Sequence, residues 1–576
     1  MKPEGTQAPV LVLDGDTLPA LAIVRSLGRK GVPVIVASHD DKPICAYSRY
    51  ATTSLKYPHP LTATDAYTAW VRRVLADNPG ALVLPVTERT LVPLARALRN
   101  ESELYQRVMM AEPQALETVL DKADIAELAR ACEVSLPRSW SVASMEQLNI
   151  ILAELSYPVV IKPGRSISDS AQRLPLTVRY AHSEEQLKNY CAEFLQEVHV
   201  VLQEYFTGEG FGIELIAKDG KVHYAFQHQR LHEMPLTGGG SSYRMSTEID
   251  QELLQASKRL IKALSWQGVA MVEFKKNLDT GRYIFIEING RFWGSLPLAT
   301  AAGADFPWLL YGLYTQGAVP DIPDYRRGVK VRKLSADLGW LEAVIRKDAD
   351  QRLVSIPTKK QALADWLDIF TPKHYFDAQS LSDIKPGWID FVRIIKSYWK
   401  RVSGIFAEKR ERAAILAASS PERYQQLLTP DARVLLVCYG NINRSALAHC
   451  LANHLMPEKT AQFRSSGFHP VGGRPMDHRM QALAKNGGLS VDAFRSTVIS
   501  EEQVNWADVI FVMEAEQVAK ITQRYPKCGN KVLLLGGVAG DEKEIMDPYN
   551  KAEAVYRHVY KQIDRAVAAI AKAVDS

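Results

Sequence analysis

The stretch that most constrains how this chain can fold is RVLLVCYGNINRSA, residues 433–446. Arg433–Val437 reads as an apolar strand, and a helix is predicted from Ala446. Between them run Cys438, Tyr439, Gly440, Asn441, Ile442, Asn443, Arg444 and Ser445. Cysteine and arginine thus frame five residues where a strand meets a helix N-terminus. Five residues can curl so that their N–H groups point at one phosphate, and the helix dipole adds positive potential there. Arg444 offers a planar, bidentate grip. The same field favours a thiolate at Cys438, a nucleophile near neutral pH. The Ser445 hydroxyl can hydrogen-bond that sulfur. A buried structural cysteine is the competing reading of the spacing alone.

A second polar stretch stands far upstream. Tyr283–Ser295, YIFIEINGRFWGS, reads as a strand that breaks at Asn289-Gly290. Glu287, Asn289 and Arg291 are spaced two apart, so on a strand they share a face. A carboxylate and an amide oxygen can hold a hard cation, and a guanidinium can steady a phosphate or carboxylate. The bland alternative is a strand end with a polar turn and a surface arginine. Gly268–Phe274, which contains Glu273, pairs with this strand across the Asp279-Thr280-Gly281 turn, which lets Glu273 and Glu287 share a face.

The 576 residues predict three to five domains. A net charge of +5 is small for this length and gives no support for nucleic-acid binding. The six cysteines are scattered without a CxxC, which suits free thiols in a reducing cytoplasm. The short N-terminal apolar run is followed by Asp14 and Asp16 and reads as a core strand, not a signal peptide. No run of about 18 apolar residues is present, so no transmembrane helix is expected.

In chain order, Val10–Leu13, Leu18–Lys30 and Val32–Ala37 predict strand, helix and strand, hence a parallel sheet without a GxGxxG fingerprint. Ala81–Pro85 adds a strand ending at Thr87-Glu88. Asp14 and Glu88 then face a substrate beyond the strand ends, or Asp14 and Thr87 cap helices. Pro158–Lys162 is an apolar strand ending on a lysine, for which a phosphate is a natural partner; Gly164–Ser168 offers backbone N–H groups beside it. The strand Val198–Leu202 runs into Gln203–Gly208, a connector able to pair its backbone with an adenine edge. Pro235–Ser242, PLTGGGSS, is a flexible loop suited to covering phosphates.

Lys122, Lys162, Glu204, Glu273, Glu287, Asn289 and Arg291 occur in the order seen in the ATP-grasp superfamily, and residues 8–320 resemble its carbamoyl-phosphate-synthase-like, carboxylate–amine ligase branch. The resemblance implies ATP held between two α+β subdomains. It places Lys122 and Lys162 on phosphates and Glu204, Tyr205 and Thr207 at the adenine hinge. Glu273, Glu287 and Asn289 would bind one or two Mg²⁺, and Arg291 would steady the transferred phosphate or the acyl group. Where relatives carry a ribose-binding acidic residue or histidine, this sequence has Gly212, with Glu209 as the substitute. The chemistry implied is activation of a carboxylate as an acyl phosphate, then attack by an amine or thiol.

Downstream of Cys438, the segments Ser465-Ser466-Gly467, Arg495-Ser496, Ala507–Met513 and Asp547-Pro548-Tyr549 follow in order. Residues 431–576 thereby resemble low-molecular-weight protein tyrosine phosphatases. The resemblance makes Asp547 the general acid and then base, Tyr549 the wall of an aromatic slot, and Asn441 a brace for the phosphate loop of Tyr439 to Asn443. Asn443 stands where many relatives have a second cysteine, and Ala446 where proline is usual. An arsenate-reductase reading is weak, since only Cys450 and Cys528 lie downstream.

The expected fold is therefore α/β and α+β multidomain. A Rossmann-like subdomain (8–115) leads an ATP-grasp domain (116–325), a mostly helical connection (326–430) and an α/β phosphatase domain with a central parallel sheet (431–576). Within the connection, Trp388, Phe391, Ile395, Trp399, Val402 and Phe406 recur at helical spacing beside Arg393, Lys396, Lys400 and Arg401. Such a helix packs between domains or lies on a membrane surface, and packing is the favoured reading. The whole reads as a bifunctional cytoplasmic enzyme. One half would be an ATP- and Mg²⁺-dependent ligase of small carboxylates and amines. The other would be a phosphatase for a tyrosine-phosphorylated protein or small phosphate ester, with a family-level link to bacterial cell-surface polysaccharide. The alternative is an ATP-sensing module that regulates the phosphatase.

Overall fold

The computed structural model describes residues 7–163, 178–195, 198–456, 461–540 and 542–575. The loop Gly164–Ser168 lies outside the described residues. The chain divides into two compact units, one ending at Ile395 and the other beginning at Lys396.

The first unit opens on a parallel sheet, in the order Thr53–Lys56, Val34–Ser38, Val10–Val12, Leu82–Leu84. Helix Leu18–Arg29 crosses between the first two strands in sequence, started by the Thr17 hydroxyl, which accepts from the Ala20 N–H. Asp14 follows the first strand at φ 55° and is fully buried. Its Oδ2 accepts from the N–H groups of Thr87 (2.8 Å) and Val86 (3.3 Å). Asp14 therefore caps helix Glu88–Ala97 across the sheet, not the helix that follows it.

A small second sheet holds Ser139–Val142, Val200–Glu204, Val159–Pro163 and Arg179–Ala181, in that order, all antiparallel. Leu148, Leu187, Cys191 and Phe194 from two helices form its core. The large sheet has seven strands among the described residues: Tyr283–Asn289, Gly268–Lys276, Glu209–Lys218, Lys221–Met234, Gly240–Ser246, Lys330–Arg332 and His374–Phe376. The last two come from 326–430, expected to be mostly helical. They are only three residues each, too short for an alternating pattern to register.

The segment 377–383, directly after the last of these strands, fastens the unit. The Arg25 guanidinium donates to Asp383 Oδ2 (2.9 Å) and to the carbonyls of Ala378 (2.7 Å) and Asp383 (3.0 Å). Arg244, also buried, pairs with Asp377. One short segment thus binds the first parallel sheet's helix and the large sheet through buried ion pairs.

The second unit has a parallel sheet in the order Gln462–Gly467, Arg433–Cys438, Val509–Val512, Val532–Leu534. Helices Arg444–Leu455 and Glu553–Asp575 pack on one face, and Ala515–Arg524 contributes to the core on the other. Residues 396–430 also belong here. Tyr424 donates to the Leu534 carbonyl (2.9 Å), and the Ser419 hydroxyl accepts from the Leu534 N–H (3.2 Å).

Helix Ile384–Ala418 is one continuous element. Its buried residues are Pro386, Gly387 and Ile394, all within the first unit. No described helix is long and apolar enough to cross a membrane.

His374 offers a test of the added strands. Burial, and then the adjacent Arg332 guanidinium, push its pKa from an ordinary 6.5 down to about 4. The folded state thus refuses a proton that the unfolded chain accepts. The associated stability is complete above about pH 6.5 and is lost as pH falls toward 4. In His374→Gln, the slope of unfolding free energy against pH should flatten in that window; an unchanged slope would contradict this placement.

Candidate active sites

The first candidate site is a row across the large sheet. Glu287 pairs directly with Glu273, Glu273 with Gly212, and Gly212 with His228. Directly opposed side chains share a face, so two carboxylates meet there. Asn289 joins them, its amide nitrogen donating to Glu273 Oε1 (3.0 Å) and Glu287 Oε1 (3.3 Å). Burial first, and then the Glu273 charge, raise the Glu287 carboxyl above its usual range. Such a pair calls for a cation. Arg230 supplies one, its guanidinium bonded to Glu273 and Glu233.

Lys162 is the last residue but one of its strand, Val159–Pro163, with Nζ 2.6 Å from Gln203 Oε1. Burial lowers its pKa, the charges of Lys122 and Lys275 lower it further, and Glu287 opposes them. Three ammonium groups and the carboxylate face therefore converge, an arrangement suited to a polyanion with a divalent cation. Lys122 itself starts helix Lys122–Ala131, after the Asp121 cap. Glu204 is the last residue of its strand. Tyr205 donates its hydroxyl to the Leu353 carbonyl (2.6 Å), and the Thr207 carbonyl accepts from the Asn277 side chain (3.3 Å). Glu209 accepts from Gln229. Arg291 turns away from Glu287. It donates to Glu88 Oε1 (3.0 Å) and to the Phe292 carbonyl (2.9 Å), and so links this strand's end to the crest of the first parallel sheet.

Gly212 has a steric cause. A Cβ there would lie 2.4 Å from the His228 ring, which pairs with buried Glu214 at 2.5 Å. Arg230, Lys275 and the Glu214–His228 pair escape a motif-based reading. The signal for Arg230 was its two-residue spacing from His228, which puts both on one strand face.

The fit to a divalent metal rests on chemistry. Among the described residues no three His, Cys, Asp or Glu side chains cluster as a metal site. The donor set is two carboxylates and an amide, hard oxygen ligands that suit Mg²⁺ bound together with phosphates.

The second candidate site is the strand-to-helix junction of the second unit. Cys438 is 2% exposed. Its sulfur accepts from the Asn441 N–H (3.2 Å) and the Ser445 hydroxyl (3.0 Å). Asn441 holds the loop's shape at φ 50°. Its amide nitrogen donates to Ser445 Oγ (2.9 Å) and Ser465 Oγ (3.1 Å), while its oxygen accepts from the Thr497 N–H (2.8 Å). Gly467 lets the neighbouring strand approach; a Cβ would stand 2.7 Å from the Tyr439 carbonyl oxygen. Arg474 grips the Gly440 carbonyl (2.6 Å).

Arg444 is 1% exposed yet charged. Burial disfavours its charge, but Cys438, Asp547 and Glu514 together hold its pKa above the ordinary value. It pairs with Asp547 Oδ2 (2.7 Å) and Glu514 Oε2 (2.5 Å), and among the described residues its buried Nε has no hydrogen-bond partner. Ile442 and Asn443 complete the loop, and Asn443 precedes the helix without capping it by side chain. Tyr439 and Tyr549 are half-exposed aromatic rings. Glu514 and Arg474 were not singled out in the sequence because their partners lie 70 and 34 residues away.

A cysteine accepting two hydrogen bonds at a helix N-terminus, beside a buried arginine, is an arrangement suited to binding and attacking a phosphate, and the large sheet of the first unit sets an oxygen face beside lysine ammonium groups. Residues 433–576 match the model of the family described as low molecular weight phosphotyrosine protein phosphatase, and the chain belongs to that family through this portion. Residues 196–336 match the model described as ATP-grasp in the biosynthetic pathway with Ter operon. The low molecular weight protein-tyrosine-phosphatase Etp of Escherichia coli K12 is 32% identical over 133 residues, 23% of this chain and 88% of that protein. Wzb of Salmonella typhi is 29% identical over 144 residues, 25% of this chain and 95% of that protein. Among solved structures, N5-carboxyaminoimidazole synthetase from Staphylococcus aureus superposes with a TM-score of 0.47 at 14% identity, over 60% of this chain and 87% of that one.

The loop geometry predicts that Asn441→Ala loses three side-chain hydrogen bonds and strains a left-handed position. Phosphatase turnover should fall by about a hundredfold while the variant still folds, a scale set by small misplacements of reacting groups. Turnover within twofold of wild type would contradict the bracing geometry.

Proposed function

We propose that the first unit is an ATP- and Mg²⁺-dependent ligase that joins a carboxylate to an amine or thiol, and that the second hydrolyses phosphotyrosine or a small phosphate ester. The reading takes residues 8–325 as the ligase core and residues 431–576 as the phosphatase. It extends, as a family-level expectation, to modification or regulation of bacterial cell-surface polysaccharide.

The ligase reading is carried by the opposed pair Glu273 and Glu287 with Asn289 beside Lys162. In this reading Lys122 and Lys162 bind phosphate oxygens, Glu204, Tyr205 and Thr207 receive the adenine, and Glu209 meets the ribose. Glu273, Glu287 and Asn289 would hold Mg²⁺, which when bound offsets charge on the phosphates. A carboxylate oxygen of the acid attacks the γ-phosphorus and ADP leaves. The resulting acyl phosphate is attacked by the amine, and inorganic phosphate departs. Arg230 gives up its hold on Glu273 to the polyphosphate, while Arg291 stays near the acyl group through Glu88.

The phosphatase reading is carried by Cys438, whose sulfur accepts from Asn441 and Ser445. The thiolate attacks phosphorus, Asp547 protonates the departing oxygen, and Asp547 then takes a proton from the water that cleaves the cysteinyl phosphate. The phosphate competes with Asp547 for Arg444. Tyr439 and Tyr549 flank an aromatic leaving group.

Cys438→Ser should abolish phosphate release from a phosphotyrosine peptide and leave ATP use intact; persistent turnover removes the nucleophile assignment. Glu287→Gln should abolish Mg²⁺-dependent ADP formation in a screen of acids with amines, and spare the phosphatase. If no acid–amine pair yields ADP with the wild type, while ATP still binds and alters phosphatase rates, the first unit is a sensor instead.

A further inference from the structure

The last turns of helix Ile384–Ala418, and the residues after it up to Tyr424, belong to the second unit. They precede residues 433–576, the portion that matches the phosphatase family. What they touch is the segment that carries Asp547. Arg412 Nε donates to Glu544 Oε2 (3.1 Å), and its Nη2 donates to the same oxygen. Lys543 Nζ donates to the Leu416 carbonyl (2.6 Å). Leu416 is among the last four residues of the helix, whose carbonyls lack partners within it, and a cation suits that end. Tyr424 is buried against the start of the same segment. Its hydroxyl donates to the Leu534 carbonyl (2.9 Å), and a Cβ on Gly537 would collide with that hydroxyl.

The segment depends on such ties. From Glu542 to Ala552 the chain forms no helix or strand, so its place is set by individual contacts. Toward the phosphate loop, the Ile545 N–H donates to the Met513 carbonyl (2.8 Å), and the Ile545 carbonyl accepts from Arg444 (2.9 Å). Gln562 donates to Glu542 (3.2 Å). Glu544 works in two directions: Oε1 accepts from the Ala515 N–H (2.9 Å), and Oε2 accepts from Arg412. Asp547 stands three residues beyond Glu544, a span of at most about 11 Å. It ends in the ion pair with Arg444. A shift at Lys543 or Glu544 therefore reaches the Asp547 carboxyl with little chain to absorb it.

We propose that residues 412–424 position the general acid of the phosphatase, with Arg412 and Lys543 making the ties that aim Asp547 at the departing oxygen. The inference rests on the reading of Asp547 as that acid. As the Cys438 sulfur bonds to phosphorus and the phosphorus–oxygen bond breaks, the leaving oxygen takes the Asp547 proton. A misplaced Asp547 hurts a basic leaving group more than an acidic one.

The full-length protein is assayed with phenyl phosphate and with 4-nitrophenyl phosphate, whose more acidic phenol leaves with less need of a proton. The quantity read is kcat/KM, which covers the steps up to departure of the phenol. Arg412→Glu with Lys543→Met should lower kcat/KM for phenyl phosphate by at least about tenfold, and for 4-nitrophenyl phosphate by less than about threefold. Arg412→Lys alone, which keeps a cation beside Glu544, should stay close to wild type on both. The Arg412–Glu544 pair is exposed and adds little to folding stability, so the double variant should keep wild-type circular dichroism. If it misfolds, Arg412→Ala alone serves the same comparison. Asp547→Asn is the reference and should show the same selective loss, larger in size. An equal fall on both substrates in the folded variant, or no fall on either, overturns the positioning role, and a selective loss in Asp547→Asn then leaves the acid reading standing. An Asp547→Asn protein without selective loss overturns both.

Discussion

Two like charges facing each other across paired strands, one of them buried, set the terms for the first unit. Glu273 and Glu287 are held opposite one another by the pairing register of their strands, not by attraction. Directly opposed carboxylates destabilise a sheet unless a cation lies between them. Arg230 fills that need here, and Asn289 donates to both carboxylates. The sheet can afford the arrangement because its other side is apolar and its far edge is locked. Arg244 and Arg25, both buried, bind the segment of Asp377 and Asp383. Breaking either pair would leave an uncompensated buried charge, which typically costs about 3–5 kcal/mol. A charged face ready for a metal and a polyanion thus depends on buried pairs at a distance from it.

The second unit solves a related problem with backbone. Its loop concentrates N–H groups at the end of a strand, and Asn441 fixes their direction through three side-chain hydrogen bonds. The arginine that would grip phosphate is already neutralised by Glu514 and Asp547. The protein can therefore fold with Arg444 buried, and an incoming phosphate exchanges one anionic partner for another instead of filling an unpaired charge.

Local features were legible in the sequence. The junction at Cys438–Ser445 needs only a strand, a short loop and a helix start, and all three have compositional signatures. The two-residue spacing of Glu287 and Asn289 likewise fixed a shared strand face. Arg291 has the same spacing but lies past the strand's end, where the period of two no longer governs; its side chain goes to Glu88. The strands Lys330–Arg332 and His374–Phe376 were not legible, since three residues carry no periodicity. The close approach of Gly387 to Gln379 was not legible either, because an apolar stripe does not say which residues the rest of the helix meets.

The sequence by itself determined two local arrangements: a cysteine and an arginine framing a five-residue loop at a helix N-terminus, and a face of oxygen donors downstream of two lysines. Those depend on spacings of a few residues, which backbone geometry converts directly into direction. Tertiary structure alone decided who meets whom across long separations. It set Glu273 opposite Glu287, brought Arg230 against Glu273, and placed Glu514 against Arg444. It also sent Arg291 to Glu88. Strand register and helix docking are collective properties of a whole core, so no local pattern carries them.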